Sequence, residues 1–307
     1  MELSKLRKAL KNPREFPMEL NCRYHWWKEG AQYNTDGIDI FAQEWDYLVI
    51  LDALRQDDFR ELNELPGEVT TKESRGAATI EFLNGNFKDR TFDDTVYVTG
   101  NPQLDANSDH LNVSFHHVEN VWKHEWDDDR STVMPETMAK ATIEAAEEYP
   151  NKRILSHFIQ PHAPYIGPTA DEHDLGGHLD PDPDIGLRDI LSGARYQLFR
   201  DDSEIHRTAY RENIELTMPH VANLFEALDG KFVVTSDHGS MFGERATPIP
   251  VKYFSHRHGC HVDTLLTVPW LEYTTGPRRD IVSGQADTNA GSTSADVQDR
   301  LEDLGYM

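Results

Sequence analysis

The sequence is poor in cysteine and has no long apolar run. Its 307 residues include two cysteines, Cys22 and Cys260, too few for a disulfide framework and without the paired spacing of a zinc ribbon, although a single bridge between them stays open. No apolar run approaches the roughly 18 residues of a membrane-spanning helix. The opening MELSKLRKALKNP interleaves basic residues with leucine and has no apolar signal core. We therefore expect a soluble, cytoplasmic protein without stable membrane insertion.

Positive charge is also scarce. Asp and Glu number 54 against 30 Lys and Arg, which leaves a formal charge of −24, and only 11 of the basic residues are Lys. Neutralising phosphates requires clustered cations, so this balance argues against a nucleic-acid-binding protein and against docking on anionic lipid. An acid-rich, lysine-poor surface is typical of proteins that stay soluble in concentrated salt, because screening suppresses their self-repulsion. The composition therefore predicts a halophilic, archaeal host.

Strand and helix patterns alternate along the chain. Short apolar or β-branched runs predict five buried strands, at 45–51, 95–99, 153–159, 231–236 and 267–273. A helix capped by Thr132 is predicted up to about Tyr149, and a longer one over 203–228 with a kink or break at Pro219. The predicted core face of the longer helix is Ile205, Ile214, Leu216, Val221, Leu224 and Leu228. This alternation predicts an α/β fold with three layers, α/β/α, around a largely parallel central sheet.

Four segments follow from the composition along the chain. Residues 1–44 are predicted to form an N-terminal extension that packs on the core. It begins with a short helix whose Leu3, Leu6 and Leu10 are expected to face its own domain, with contact to a membrane as the alternative. The main domain covers 45–282, a polar linker 283–293, and a C-terminal helix 294–307. Within the main domain, residues 169–190 are rich in Asp, Gly and Pro and are predicted to form an exposed lid or substrate loop.

Polar residues follow three of the predicted strands. Asp52 ends WDYLVILD, Asp237 and His238 follow KFVVTS, and His162 follows RILSHFIQ in QPHAPY. In open α/β sheets such residues meet at the carboxyl edge of the strands. Together they form a nitrogen and oxygen ligand set suited to Zn²⁺, Mn²⁺, Mg²⁺ or Ca²⁺. Taken alone, an Asp at a strand end is more often a helix N-cap and a lone His more often a structural residue, so the metal site is predicted from their joint placement.

A hydroxyl nucleophile is available near this predicted site. Thr79 stands immediately before a predicted short helix, 80–87, whose N-terminus favours an anion, and Ser74 is the reserve candidate. The alternative is that Thr79 only caps the helix. Arg55 and Arg75 are candidates to clamp oxyanion oxygens, or else form structural ion pairs.

A histidine-rich turn precedes the fifth predicted strand, in FSHRHGCHVDTLLTVPWL. His256 or His261 could reach a metal ion or a transferring group from this turn, and His258 lies between them. Surface histidines are the alternative. Cys260 is interpreted as a small buried residue because no second cysteine is near in sequence.

These pieces, in this order, resemble the alkaline phosphatase superfamily in its sulfatase-like branch. The matching segments are VILDALR, the helix opened by Thr79, HFIQPHAPY, FVVTSDHGSMFGE, the histidine turn before TVPWL, and the tail VQDRLEDLGYM. The resemblance covers residues 45–307 and makes 45–282 the catalytic domain. It implies that Asp52, Asp237 and His238 hold a divalent metal ion together with the Thr79 oxygen.

The resemblance also implies roles for three histidines. His162 and His261 would contact phosphate or sulfate oxygens or hold a second metal ion, with His256 as a third candidate. Because QPHAPY resembles the lipoteichoic-acid synthase-like phosphotransferases, one metal ion is expected and two are the alternative. The reaction would pass through a covalent Thr ester.

One departure from the family pattern bears on the substrate. True sulfatases carry Cys or Ser followed by x-Pro-x-Arg, whereas Thr79 is followed by Ile80, Glu81 and Phe82. We therefore expect a hydrolase or transferase acting on a phosphate mono- or diester of a small molecule, glycan or lipid headgroup. A sulfatase and a catalytically inactive binding protein remain the alternatives, and the oligomeric state stays open.

Overall fold

A seven-stranded sheet forms the centre of the chain in the computed structural model, which describes residues 15–173, 175, 203–284 and 295–305. Across the sheet the strands lie in the order β2-β9-β6-β1-β5-β3-β4. The five strands from β6 to β4 are parallel, and β9 is antiparallel to both of its neighbours, β6 and β2. The strands are β1 Tyr47–Asp52, β2 Glu68–Glu73, β3 Thr91–Thr99, β4 Ser114–Asn120, β5 Arg153–Pro161, β6 Lys231–Thr235 and β9 Thr267–Thr274, and a separate hairpin joins β7 Met241–Arg245 to β8 Lys252–Ser255.

Helices cover both faces of the sheet, because alternate residues of a strand point to opposite sides. On β1, Val49 and Leu51 belong to a hydrophobic cluster with helices α6 (Pro135–Glu148), α8 (Ser203–Ala227) and α10 (Ala295–Asp303). Leu48 and Ile50 belong to a second cluster with helix α3 (Thr79–Asn86). The predicted three-layer α/β/α class is confirmed. The helices are α1 Glu15–Glu29, α2 Gln56–Leu62, α3 Thr79–Asn86, α4 Gln103–Ala106, α5 Ser108–Leu111, α6 Pro135–Glu148, α7 Pro168–His173, α8 Ser203–Ala227, α9 Asp263–Leu266 and α10 Ala295–Asp303.

All five predicted strands exist, with shifted ends. The prediction missed four further strands: β2, β4 and the β7–β8 hairpin. In β2, EVTTKE, no residue is buried, and β4 has a single buried residue, Phe115. Strands at a sheet edge keep little of the apolar pattern that marks central strands, which explains why these two were missed.

Three helix details differ from the prediction. The N-cap of α6 is Met134, and Thr132 instead accepts a hydrogen bond from Gln160 Nε2 at 3.0 Å. The helix α8 continues through Pro219 without a break. Leu216, predicted to face the core, is 41% exposed, whereas Ile214 and three other predicted core residues, Val221, Leu224 and Leu228, are buried.

The described part of the N-terminal extension packs against the chain near residue 249. The Asn21 side chain donates to the Ile249 carbonyl and accepts from the Ile249 amide, both at 2.9 Å. Cys22 and Cys260 are both free and buried. The predicted leucine helix, most of the 169–190 loop and all of the linker beyond Gly284 lie outside the described residues. Over the described ranges, no helix combines the length and apolar character needed to cross a bilayer.

Candidate metal centre

The carboxyl ends of β1 and β6, adjacent strands, bring three predicted ligands together. Asp52 ends β1, and Asp237 and His238 follow β6. Ligand atoms of these three buried residues all lie within 4.8 Å of one another. Thr79, the first residue of α3, places its Oγ1 3.3 Å from His238 Nε2 and 3.5 Å from Asp52 Oδ2. The structure thus assembles the four residues predicted to hold a metal ion.

Local hydrogen bonds fix the two strand ends against each other. Leu54 N donates to Ser236 Oγ at 2.8 Å, and Ser236 Oγ donates to the Leu51 carbonyl at 2.7 Å. Gly239 allows the next turn, because a Cβ there would lie 2.1 Å from the Thr264 carbonyl oxygen. These contacts fix the backbone on both sides of Asp52 against the residue that precedes Asp237.

Ligand atoms of the three residues lie close together. His238 Nδ1 donates to the Gly239 carbonyl at 2.8 Å, which leaves Nε2 as the ring nitrogen nearest the two carboxylates. That Nε2 lies 3.3 Å from Asp237 Oδ2 and 3.6 Å from Asp52 Oδ1. Asp237 Oδ1 accepts from the amides of Ala53 and His238, whereas Oδ2 has no hydrogen-bond partner among the described residues. Buried oxygen and nitrogen acceptors facing each other fit a divalent cation.

Charge at the centre is set by burial and by neighbouring imidazoles. Burial raises the pKa of Asp237, but the nearby imidazoles of His238 and His157 and the amide of Ala53 outweigh burial and hold that pKa below its ordinary value. Burial lowers the pKa of His157 to about 4. Asp237 is therefore a carboxylate at neutral pH, as a metal ligand must be.

Two predicted histidines extend the centre. The His256 ring lies 4.4 Å from the His238 ring and 5.0 Å from the His162 ring, centroid to centroid. Burial lowers the pKa of His162 to about 4 and takes that of His256 well below its ordinary value. Both imidazoles are therefore neutral near pH 7 and act as neutral hydrogen-bonding groups.

His261 lies beside a buried carboxylate, Glu81. Its Nε2 lies 3.3 Å from both carboxylate oxygens of Glu81, and His258 Nε2 lies 3.6 Å from Glu81 Oε1. Glu81 also accepts from the Gly259 amide at 2.8 Å and from Trp26 Nε1 at 3.1 Å. These contacts tie His261 to a separate buried carboxylate, and it is His256 that lies beside His238.

The remaining candidates are engaged in structural contacts. Arg55 donates to Asp57 and to Glu244, both at 2.6 Å, and Arg75 donates to the Gly85 carbonyl at 2.6 Å. Neither interaction favours the predicted oxyanion clamp. The Ser74 hydroxyl donates to the Asp237 carbonyl and accepts from the Gly76 amide. The N-cap of α3 is Ala78, so Thr79 is not the cap that the alternative required.

Sequence reasoning missed two residues that support the ligands. Asn101 Nδ2 donates to Asp52 Oδ2 at 2.8 Å, and Asn101 follows β3 at the same sheet edge, so the strand-end rule could have found it. His157 lies inside β5, with Nδ1 2.8 Å from the Tyr97 hydroxyl and Nε2 3.9 Å from Asp237 Oδ2. Nothing in the strand pattern distinguishes His157 from a core residue.

A cavity of about 220 Å³ adjoins the centre. His162 and His256 line it on the metal side, and Tyr165, His206 and Phe242 line it elsewhere. None of the described residues that line it is Lys, Arg, Asp or Glu. The described lining therefore offers aromatic and uncharged polar side chains to a molecule bound in the cavity.

Comparisons with known proteins give structural matches only. Neither protein-family models nor curated protein sequences match the chain. Among solved structures, the zinc complex of the C-terminal periplasmic domain of EptC from Escherichia coli matches with a TM-score of 0.49 and 16% identity, covering 77% of this chain and 75% of that one.

Two further matches have comparable scores. The periplasmic domain of the phosphoethanolamine transferase EptC from Campylobacter jejuni gives a TM-score of 0.45 at 13% identity, with 74% of this chain and 78% of that chain covered. An alkaline phosphatase superfamily protein from Vibrio parahaemolyticus gives 0.43 at 14% identity, with 83% and 65% covered. These matches record what the chain is similar to, over 74–83% of its length.

Proposed function

We propose that the chain is a metal-dependent phosphotransferase or phosphoesterase of the alkaline phosphatase superfamily that acts on phosphodiesters. The observation that carries this proposal is the close approach of ligand atoms of Asp52, Asp237 and His238 beside the Thr79 hydroxyl. A divalent cation held by these groups lowers the pKa of an adjacent hydroxyl and offsets negative charge on a phosphoryl group. One cation is proposed, because the described residues give one such group of three ligands.

Thr79 is proposed as the nucleophile. Its Oγ1 lies next to two acceptors, Asp52 Oδ2 and His238 Nε2, and it opens α3, whose N-terminal dipole favours an anion. Attack of Thr79 Oγ1 on phosphorus forms the Thr–phosphate bond, and the bond from phosphorus to the departing alcohol oxygen breaks. The proton that Thr79 gives up balances the proton that the departing alcohol oxygen takes up. Water or an acceptor hydroxyl then attacks the same phosphorus, and the Thr79 oxygen leaves and regains a proton from that nucleophile.

The charge of the surrounding cavity favours diesters over monoesters. Its described lining contains no Lys or Arg, and His162 and His256 are neutral near pH 7. A diester carries one negative charge at that pH, whereas a monoester carries nearly two. A second negative charge would therefore lack a cationic partner among the described residues that line the cavity. The alcohol portions are proposed to be a small molecule, a glycan or a lipid headgroup.

The test is turnover of bis-p-nitrophenyl phosphate, p-nitrophenyl phosphate and p-nitrophenyl sulfate in molar KCl with Mn²⁺, Zn²⁺, Mg²⁺ or Ca²⁺. We expect diester cleavage that exceeds monoester cleavage, is lost in Thr79→Val, and is retained in part by Thr79→Ser. Thr217→Val is the matched control, because Thr217 is also buried in a helix and its hydroxyl donates to the Asn213 carbonyl at 2.7 Å.

Other outcomes would change the proposal. Full diester turnover by Thr79→Val would remove Thr79 as the nucleophile, and cleavage of the sulfate alone would favour a sulfatase. Metal binding without turnover of any ester, and without a phosphoryl adduct on Thr79 by mass spectrometry, would favour an inactive binding protein. The cytoplasmic location and the adaptation to concentrated salt stay predictions, the latter testable by circular dichroism across a KCl series.

A further inference from the structure

The turn after α10, the last described helix, reaches the cavity beside the metal centre. Leu304, the residue that follows this helix, lines the cavity together with His162 and His256. Ala53, which directly follows the proposed ligand Asp52, lines it as well. The cavity therefore joins the end of α10 to the residues of the proposed metal centre.

Helix α10 is anchored to the domain, so the position of Leu304 is fixed. The hydrophobic cluster that β1 shares with α6 and α8 also contains Val297, Leu301 and Leu304, which are 2%, 8% and 2% exposed. The Arg300 guanidinium lies over the Trp126 ring, 4.7 Å from its centroid. Leu304 is thus a packed wall residue of the cavity.

Two other walls of the cavity are tied to the backbone that follows β1. Tyr210 on α8 donates its hydroxyl proton to the Ala53 carbonyl at 2.8 Å and accepts from the Arg55 amide at 2.7 Å. Its ring lies 5.1 Å from the Phe242 ring, centroid to centroid, and both rings line the cavity. Moving these rings would disturb the strand end that carries a metal ligand. Leu304 can be shortened without removing a hydrogen bond.

The cavity is small. Its volume of about 220 Å³ lies below the roughly 300–1,000 Å³ of pockets that bury drug-sized ligands. A cavity of about 150 Å³ is enough for one benzene molecule. A diester with its phosphorus at the metal centre would therefore find room in the cavity for one ring, and two fused rings would meet the wall. A shorter side chain at Leu304 would leave open space beside the cavity, because packed surroundings relax only partially.

We propose that Leu304 determines the size of the alcohol portion that the site accepts, and that this portion is small, of one ring or less. The inference rests on the proposed function, because it concerns the same diester. It assigns a contact with substrate to the end of α10, whereas the proposed metal ligands lie on other elements. Removing bulk at Leu304 should therefore change which diester is cleaved and leave metal binding unchanged.

The experiment compares two symmetric diesters, bis-p-nitrophenyl phosphate and bis-1-naphthyl phosphate, under the salt and metal conditions of the functional test. Both alcohol portions of each diester are the same, so either one can occupy the cavity. The measured quantity is the ratio of kcat/KM for the naphthyl ester to that for the nitrophenyl ester. One methylene group in an apolar pocket changes discrimination by roughly 10- to 200-fold. We expect the ratio to rise about tenfold or more in Leu304→Ala, and by less in Leu304→Val.

Leu301→Ala is the matched control. Leu301 is also buried on α10 and belongs to the same hydrophobic cluster, but it is not among the described residues that line the cavity. This variant should lose stability as Leu304→Ala does and keep the wild-type ratio. The metal Kd from calorimetry should be the same in wild type and all three variants, which separates a change in the cavity from a change in the metal centre.

Three outcomes would overturn the inference. Turnover of both esters with the wild-type ratio in Leu304→Ala, or the same change of ratio in Leu301→Ala, would overturn it and leave the proposed function standing. No turnover of either diester by wild type would contradict both. Leu304→Val removes a single methylene group and carries the test if Leu304→Ala does not fold, and an unchanged ratio in that variant would then overturn the inference.

Discussion

Replacing Asp237 with Asn should separate metal binding from folding. The change keeps the shape of the side chain, and its oxygen can still accept from the amides of Ala53 and His238. It removes one of two buried carboxylates whose ligand atoms lie within 4.8 Å. At an effective dielectric constant near 20, repulsion across that distance is about 3 kcal/mol. Weakening two hydrogen bonds to a charged acceptor costs about 2 kcal/mol.

Without metal, the free energy of unfolding should therefore stay within about 1 kcal/mol of wild type. With metal, the two proteins should differ strongly. Wild type at a metal concentration about 1,000 times its Kd gains about 4 kcal/mol. If the loss of one carboxylate raises Kd about 1,000-fold, the variant gains only about 0.4 kcal/mol at the same concentration.

Urea unfolding followed by circular dichroism in molar KCl, after chelation and after metal addition, measures both terms. Asp46→Asn is the control, because Asp46 is also buried and lies just before β1, at the opposite end from Asp52. Its carboxylate accepts hydrogen bonds from Lys231 N and Arg278 Nε. This control should lose stability equally with and without metal. If Asp237→Asn is strongly destabilised without metal and keeps the full metal gain, Asp237 is a structural residue and the reasoning fails.

Two further predictions concern the residues around the centre. Burial raises the pKa of Glu81, but the hydrogen bond and charge of His261 outweigh burial and hold that pKa below its ordinary 4.5. The ionised Glu81 side chain therefore stabilises the folded state above pH 4.5, and this stabilisation is lost as pH falls through the folded-state pKa. Glu81→Gln should therefore lower the free energy of unfolding by about 2 kcal/mol at pH 7. It should also make that free energy fall less steeply with decreasing pH below 4.5, as measured by urea unfolding at a series of pH values. The same pH dependence in the variant and in wild type would contradict this. Asn101→Ala should raise the metal Kd by about 10- to 100-fold, because Asn101 orients Asp52. Calorimetric titration measures the metal Kd, with Asn107→Ala as the control because the Asn107 side chain donates to Gln103. The same metal Kd in Asn101→Ala and Asn107→Ala would contradict this prediction.

The central strands and the metal ligands could be predicted because their signals are local. β1 and β6 are buried on both faces and appear as nearly continuous apolar runs, and a polar residue that follows such a run lies at the functional edge of the sheet. Asp52, Asp237 and His238 are therefore marked by their positions after β1 and β6.

The histidine turn shows what the sequence could not decide. His256 and His261 are five residues apart in the same turn, and both were candidates for the centre. In the folded chain His261 contacts Glu81, a buried carboxylate on α3, whereas His256 lies beside His238. Glu81 follows Thr79 by two residues and carries no pattern that marks it as a partner for a turn near residue 260. That contact is long-range, so only the folded chain reveals it.

The most direct test of the central claim is anomalous diffraction from crystals soaked in Zn²⁺, measured on both sides of the zinc absorption edge. The metal-centre account predicts one strong peak bounded by Asp52, Asp237, His238 and Thr79, at about 2.0–2.2 Å from the ligand nitrogen and oxygen atoms. No peak among these four residues, or a peak only beside Glu81 and His261, would contradict it.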